Sequence, residues 1–102
     1  MKLTIISDDK AVYVDGRCFS GLTLATPVNV HALQWNLDNG WIEYNDGQPN
    51  EVITSLPTWA NDGISAWDTV KVVDDEKIRL NELAELARAN KQQPITTGSQ
   101  VF

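Results

Sequence analysis

Cysteine and histidine are almost absent from this chain, which has one of each, Cys18 and His31. A single cysteine excludes a disulfide within the chain and a zinc site built from thiolates. A catalytic Cys18–His31 pair would also need a group that orients the imidazole and an oxyanion site, and the sequence shows neither. Glycine-rich phosphate loops and calcium-loop spacing are lacking as well. We therefore expect no enzymatic activity, no cofactor and no metal site.

Long hydrophobic runs and an excess of basic residues are also lacking. The apolar runs are far shorter than the roughly 20 residues needed to cross a bilayer, and no secretory hydrophobic region follows Met1-Lys2. Eight basic against fourteen acidic residues give a net charge of −6, which provides no basic surface for a phosphate backbone. We expect neither nucleic acid nor membrane among the partners, and a chain made in the cytoplasm.

Tryptophan and turn-forming residues are concentrated between His31 and Trp67, a segment that contains all four tryptophans. Indole is large and apolar, and its N–H needs a partner when it is buried. We expect three of the indoles to form the core, namely Trp35, Trp59 and Trp67. Trp41 is the candidate for an exposed anchor, although the aromatic residues alone leave core, sugar binding and partner binding open.

Alternating apolar residues predict short strands over residues 2–6, 11–14, 17–19, 31–36 and 41–44. Asp15-Gly16 between two of them is typical of a tight hairpin turn. We expect residues 37–40 to turn the chain again, since Asn39-Gly40 can adopt positive φ at low cost, and we expect Trp41 near Trp35 across the hairpin. Cys18 lies within a strand pattern and is expected in the core.

A helix should follow Leu56, with Ser55 or Thr58 as its N-cap and Pro57 in its first turn. It either runs unbroken over residues 57–91 or is divided near Asp74-Asp75-Glu76. The sequence thus predicts an α+β fold: a small antiparallel sheet of about five strands, a meander of hairpins, then a long C-terminal helix and an extended tail. We assign 1–70 to the sheet domain with the start of the covering helix, 71–91 to a projecting helix and 92–102 to the tail.

The helix carries a weak heptad pattern, in which apolar residues recur every seven positions from Trp59 through Ala66, Val73 and Leu80 to Ala87. The companion positions are mixed, so a helix that lies on its own sheet and then frays stays as an alternative to self-association or docking. The apolar residues at the tip of the tail are further candidates for contact. The candidate interface residues are Trp41, Val73, Leu80, Leu83, Ala87, Val101 and Phe102.

Several segments together resemble a group of small tailed-bacteriophage proteins. The matching residues are Ile5–Asp9, Ala11–Gly16, His31–Asn36 (HALQWN), Gly40–Ala60 (GWIEYNDGQPNEVITSLPTWA), Trp67 and Gln93–Gly98. The resemblance covers nearly the whole chain and brings no catalytic residues with it. It implies a structural or assembly protein associated with the phage tail or tail fibre.

The resemblance and the residues together favour a non-enzymatic tail component or adaptor that docks on the tail-fibre or baseplate region. Its partners would be a phage tail or tail-fibre protein and further copies of itself. It would be made in the host cytoplasm and located in the virion tail. A tail-fibre assembly chaperone, absent from the particle, and a phage-encoded modulator of a host protein are the alternatives.

Overall fold

The computed structural model describes residues 1–92 of the chain, which form six strands and one helix. The elements are β1 (Lys2–Ile6), β2 (Ala11–Val14), β3 (Arg17–Phe19), β4 (Val30–Asn36), β5 (Asn39–Tyr44), β6 (Glu51–Ile53) and α1 (Thr58–Gln92). The α+β class, with an antiparallel sheet before one long helix, is therefore confirmed. The predicted tail, with Val101 and Phe102, lies outside the described residues except for Gln92, which belongs to α1.

The sheet has one strand more than the roughly five predicted, and its strand order differs from the predicted meander. The sheet has six strands in the order β3-β2-β1-β4-β5-β6, so β4 pairs with β1 and not with β3. The segment after β3 returns along the β1–β2 turn, where the Leu22 N–H donates to the Lys10 carbonyl at 3.0 Å. Leu22 is buried in the core, and this burial favours the return path over a further hairpin. The sixth strand follows the polar loop at residues 45–50.

The turn between β2 and β3 agrees with the prediction from the sequence, whereas the turn between β4 and β5 differs from it in length and in φ. Asp15 and Gly16 have φ of 49° and 89°, which confirms the hairpin turn between β2 and β3. The β4–β5 turn is shorter than predicted, since Asn36 pairs directly with Asn39. Leu37, and not Asn39 or Gly40, adopts the positive φ of 62°.

Gly40 is required for a close approach of two backbones and not for its φ. A Cβ at this position would lie 2.0 Å from the carbonyl oxygen of Gln34. Gly40 pairs with Trp35, and Trp41 pairs with Gln34. Because neighbouring residues of a strand point to opposite faces, Trp41 and Trp35 lie on opposite faces of the sheet. The predicted contact between these two indoles is therefore wrong.

The core lies between one face of the sheet and the first part of α1. Fully buried Leu3, Ile5, Val12 and Leu33 form its centre on the sheet side. The helix contributes Ala60 and Trp67, which are also buried, whereas Trp59 is half-buried.

The Trp67 side chain ties α1 to the edge of the sheet. Its indole N–H donates to the Arg17 carbonyl at 2.9 Å, and its ring centroid lies 5.7 Å from that of Phe19. Burial of the large indole ring stabilises the packing. Because its N–H is hydrogen-bonded, no buried donor is left unsatisfied. The expectation that Trp35 and Trp67 are core residues is confirmed.

Cys18 and His31 lie away from the core. Cys18 pairs with Tyr13 and is exposed, so its predicted place in the core is wrong. Its neighbours Arg17 and Phe19 take the covered face because side chains alternate along β3. His31 lies at a bulge between Val30 and Ala32, and it is exposed while both flanking side chains are buried.

The chain divides into two units, Met1–Val70 and a second that begins at Lys71. In the second unit α1 continues without interruption through Asp74-Asp75-Glu76, so the alternative of a divided helix is wrong. Lys71 and Asp75 form an ion pair at 2.9 Å, and Glu76 pairs with Arg79. These i,i+4 and i,i+3 contacts offset the repulsion within the acidic run by a few tenths of a kcal/mol each. Glu85 and Arg88 form a further i,i+3 pair at 2.7 Å.

We expect Gly40→Ala to destabilise the protein by about 3 kcal/mol, since the new methyl group meets rigid backbone. Gly63→Ala is a matched control. Its Cβ would meet the flexible end of the Ile5 side chain at 3.3 Å, and alanine favours a helix by about 1 kcal/mol over glycine. Urea unfolding of both variants measures the difference. Equal stability of the two variants would contradict the backbone contact at Gly40.

Candidate interaction surfaces

The face of the sheet opposite the core exposes side chains from all six strands. Strand pairing places one residue from each strand in a single line across this face. We call this line the open-face row, and its members in spatial order are Cys18, Tyr13, Thr4, Gln34, Trp41 and Val52. Residues directly opposite each other in paired strands have their Cβ atoms about 5 Å apart, so the row is a continuous surface.

The open-face row contains two exposed aromatic side chains. Tyr13 is 40% exposed and Trp41 is 42% exposed. The indole N–H of Trp41 donates to Glu43 Oε2 at 2.8 Å. This hydrogen bond fixes the orientation of the ring and satisfies its only polar group. A partner would therefore meet the apolar surface of a held indole.

A shallow depression of about 240 Å³ lies beside Trp41. Its lining includes Lys2, Thr4, Gln34, Asn36, Asn39 and Trp41. The Thr4 hydroxyl donates to Gln34 Oε1 at 2.8 Å. This contact leaves the Gln34 amide N–H groups for other acceptors. Polar and aromatic groups thus converge on one side of Trp41.

Two tyrosines have raised pKa values, each through a neighbouring side chain. A hydrogen bond with Cys18 raises the pKa of Tyr13 on the open face. On the core side of the sheet, the Tyr44 hydroxyl donates to Glu51, and this bond raises the pKa of Tyr44. Both phenols therefore stay protonated and uncharged near neutral pH.

The strand order separates Cys18 from His31. They lie on β3 and β4, with β2 and β1 between them, which corresponds to about 14 Å at the usual strand spacing. A nucleophile and its base must be within hydrogen-bond reach, so these two residues cannot form a catalytic pair in this fold. Within residues 1–92, no group of three or more potential ligands among His, Cys, Asp and Glu could hold a metal ion.

In the second unit, α1 carries a stripe of exposed apolar side chains. We call it the α1 stripe, and its members are Val72, Val73, Leu80, Leu83, Leu86 and Ala87. Its five large side chains are between 50% and 70% exposed. The stripe spans about 140° of the helix surface at 3.6 residues per turn. In the part of the chain that the structure describes, α1 is not apolar enough to span a bilayer.

The α1 stripe contains all four helical residues predicted as interface, Val73, Leu80, Leu83 and Ala87, and each is exposed. Two members, Val72 and Leu86, were missed by sequence reasoning. Each lies next to a heptad position in the sequence. Arg79 occupies the position seven residues from both, so Val72 and Leu86 do not form an apolar heptad series of their own. A search for apolar residues three and four positions apart would have found Leu86 next to Leu83.

The α1 stripe does not continue the buried positions of the first part of the helix. Ala60 and Trp67 are buried and lie seven residues apart, which is close to two helical turns. The next positions in that series are Asp74, Asn81 and Arg88, all of which are polar. Val73, Leu80 and Ala87 instead continue the heptad series of Trp59 and Ala66, which are half-buried against the core.

We expect Trp41→Ala to change the free energy of unfolding by about 1 kcal/mol or less, because the ring is exposed. Trp67→Ala should cost about 3–5 kcal/mol, since it removes a buried indole from the core. Chemical unfolding compares the two variants. A large loss in Trp41→Ala would mean that this residue supports the fold.

Comparison with known proteins gives no match to a protein-family model. The search of curated proteins also finds no match. Among solved structures none matches either.

Proposed function

We propose that this chain is a non-enzymatic adaptor of a tailed bacteriophage, which docks on the tail-fibre or baseplate region through the α1 stripe. The phage assignment is supported by the resemblance of HALQWN at 31–36 and of the segment at 40–60 to small phage proteins. The docking role is supported by the exposed side chains of the stripe.

The observation that carries the docking role is the exposure of Val73, Leu80 and Leu83 on one side of a helix. Each of these side chains has about half of its surface in water. Burial of the exposed half contributes about 1 kcal/mol per side chain. Heptad spacing is the pattern by which one helix packs along another. The surface therefore suits a helical partner.

The first test is mass spectrometry of purified particles of the phage that encodes the chain. We expect the protein in the particle at a ratio fixed to a tail protein. If it is present in infected cells but absent from particles, the adaptor role is wrong and an assembly chaperone takes its place. If it is absent from particles and co-purifies with a host protein, a modulator of that protein is favoured.

A second test replaces both Val73 and Leu80 by Asp. We expect this variant to be lost from assembled particles at least tenfold relative to wild type, since burial of two carboxylates in an apolar contact is strongly unfavourable. The exposed residues Ile78 and Asn81 lie on the other side of α1. Ile78→Asp together with Asn81→Asp adds the same two charges and is the matched control.

The control variant should enter particles at the wild-type level. Near-UV circular dichroism of both variants should match wild type, because the buried tryptophans lie in the first unit. Equal incorporation of both variants would show that the α1 stripe is not the docking surface. Loss of the near-UV signal in the first variant alone would show that Val73 and Leu80 support the core.

A further inference from the structure

We infer that the depression beside Trp41 binds one pyranose ring of a neutral saccharide. This site lies in the first unit. The residues that would contact the sugar are Trp41, Gln34, Asn36, Asn39 and Thr4. The inference does not depend on the α1 stripe or on the phage assignment.

The indole of Trp41 is both partly exposed and hydrogen-bonded in place. Its ring is 42% exposed, and its N–H is engaged by Glu43 Oε2 at 2.8 Å. The face of an aromatic ring carries negative charge density. The C–H groups on one side of a pyranose are weakly positive and form a flat apolar patch. A fixed, exposed indole face therefore complements that side of the sugar.

The polar side chains that line the depression suit the hydroxyl groups of a sugar. Gln34, Asn36 and Asn39 carry amides, each with donors and an acceptor, and Thr4 carries a hydroxyl. Sugar hydroxyl groups both donate and accept hydrogen bonds, so amides suit them better than charged groups of one sign. The Thr4–Gln34 bond at 2.8 Å holds the Gln34 amide in place. Preorganised polar groups lower the cost of ordering on binding.

The charge and the size of the depression also suit a single neutral sugar ring. Lys2 is the one charged residue among those that line the depression, and the Glu43 carboxylate lies beside the same indole, 2.8 Å from its nitrogen, so the two opposite charges do not favour a ligand of either sign. The volume of about 240 Å³ is below the roughly 300–1,000 Å³ of pockets for drug-sized ligands. The depression is open to solvent along the sheet face. It therefore accommodates one ring and lets the rest of an oligosaccharide extend outward.

Tyr13 provides a matched control on the same face. It is nearly as exposed as Trp41, and it lies in the same open-face row. Strands β1 and β4 separate the strands that carry the two residues, which places them about 14 Å apart. Tyr13 does not line the depression, so its removal tests whether any exposed aromatic on this face suffices.

The experiment follows the four indole N–H resonances of ¹⁵N-labelled full-length protein, with Trp41 assigned by comparison with Trp41→Phe. The probes are cellotriose, maltotriose and triacetylchitotriose at millimolar concentration. We expect one of them to shift the Trp41 resonance saturably and to leave Trp67 unchanged. Calorimetry should show binding lost in Trp41→Ala, weakened about tenfold in Gln34→Ala, and unchanged in Tyr13→Ala.

Three results would overturn the inference. The first is the absence of a saturable Trp41 shift with all three saccharides. The second is equal loss of binding in Tyr13→Ala and Trp41→Ala, since it would make the contact nonspecific. The third is a Trp41 shift that depends on protein concentration alone, because it would show that a second copy covers this face. The Val73→Asp/Leu80→Asp variant should bind the saccharide like wild type, which separates this site from the proposed docking role.

Discussion

The packing of the first turns of α1 against one face of the sheet is the interaction on which the rest of the first unit depends. Ala60 and Trp67 belong to the same buried cluster as Leu3, Ile5 and Val12, and a Cβ added at the buried Gly63 would lie 3.3 Å from the Ile5 side chain. The Trp67 N–H also ties the helix to the Arg17 carbonyl at 2.9 Å. Because this packing covers one face, the side chains that alternate to the other face remain exposed. Tyr13 and Trp41 are exposed for that reason.

The sequence predicted those features that depend on local chemistry. Asp15-Gly16 specifies its turn through the low cost of positive φ, and the alternating apolar residues at 2–6 and 11–14 specify β1 and β2. The pairing of β4 with β1 was not predicted, because it joins segments about thirty residues apart and no local pattern encodes it. Leu37 adopts the left-handed conformation that was expected of Asn39 or Gly40. Because the turn is shifted, Trp41 pairs with Gln34 and lies on the face of the sheet opposite Trp35.

The candidate surfaces were predictable to different degrees for the same reason. Val73, Leu80 and Leu83 follow a helical period that can be counted along the chain, and their exposure agrees with a surface for contact. The depression beside Trp41 brings together residues from β1, β4 and β5, so only the fold defines it. The two surfaces belong to different units of the chain and differ in chemistry, one aliphatic and the other aromatic with amides. A protein partner suits the first, and a polyhydroxylated ligand suits the second.

The sheet holds the first part of α1, whereas the second part presents an exposed apolar stripe. Amide hydrogen exchange of dilute protein, at a concentration where light scattering gives the mass of one chain, tests this claim most directly. We predict slow exchange at residues 61–70, close to that of β1 and β4, and exchange orders of magnitude faster at residues 75–89. Equally slow exchange along the whole helix would contradict the claim, since it would mean that the second part is already stabilised within the single chain.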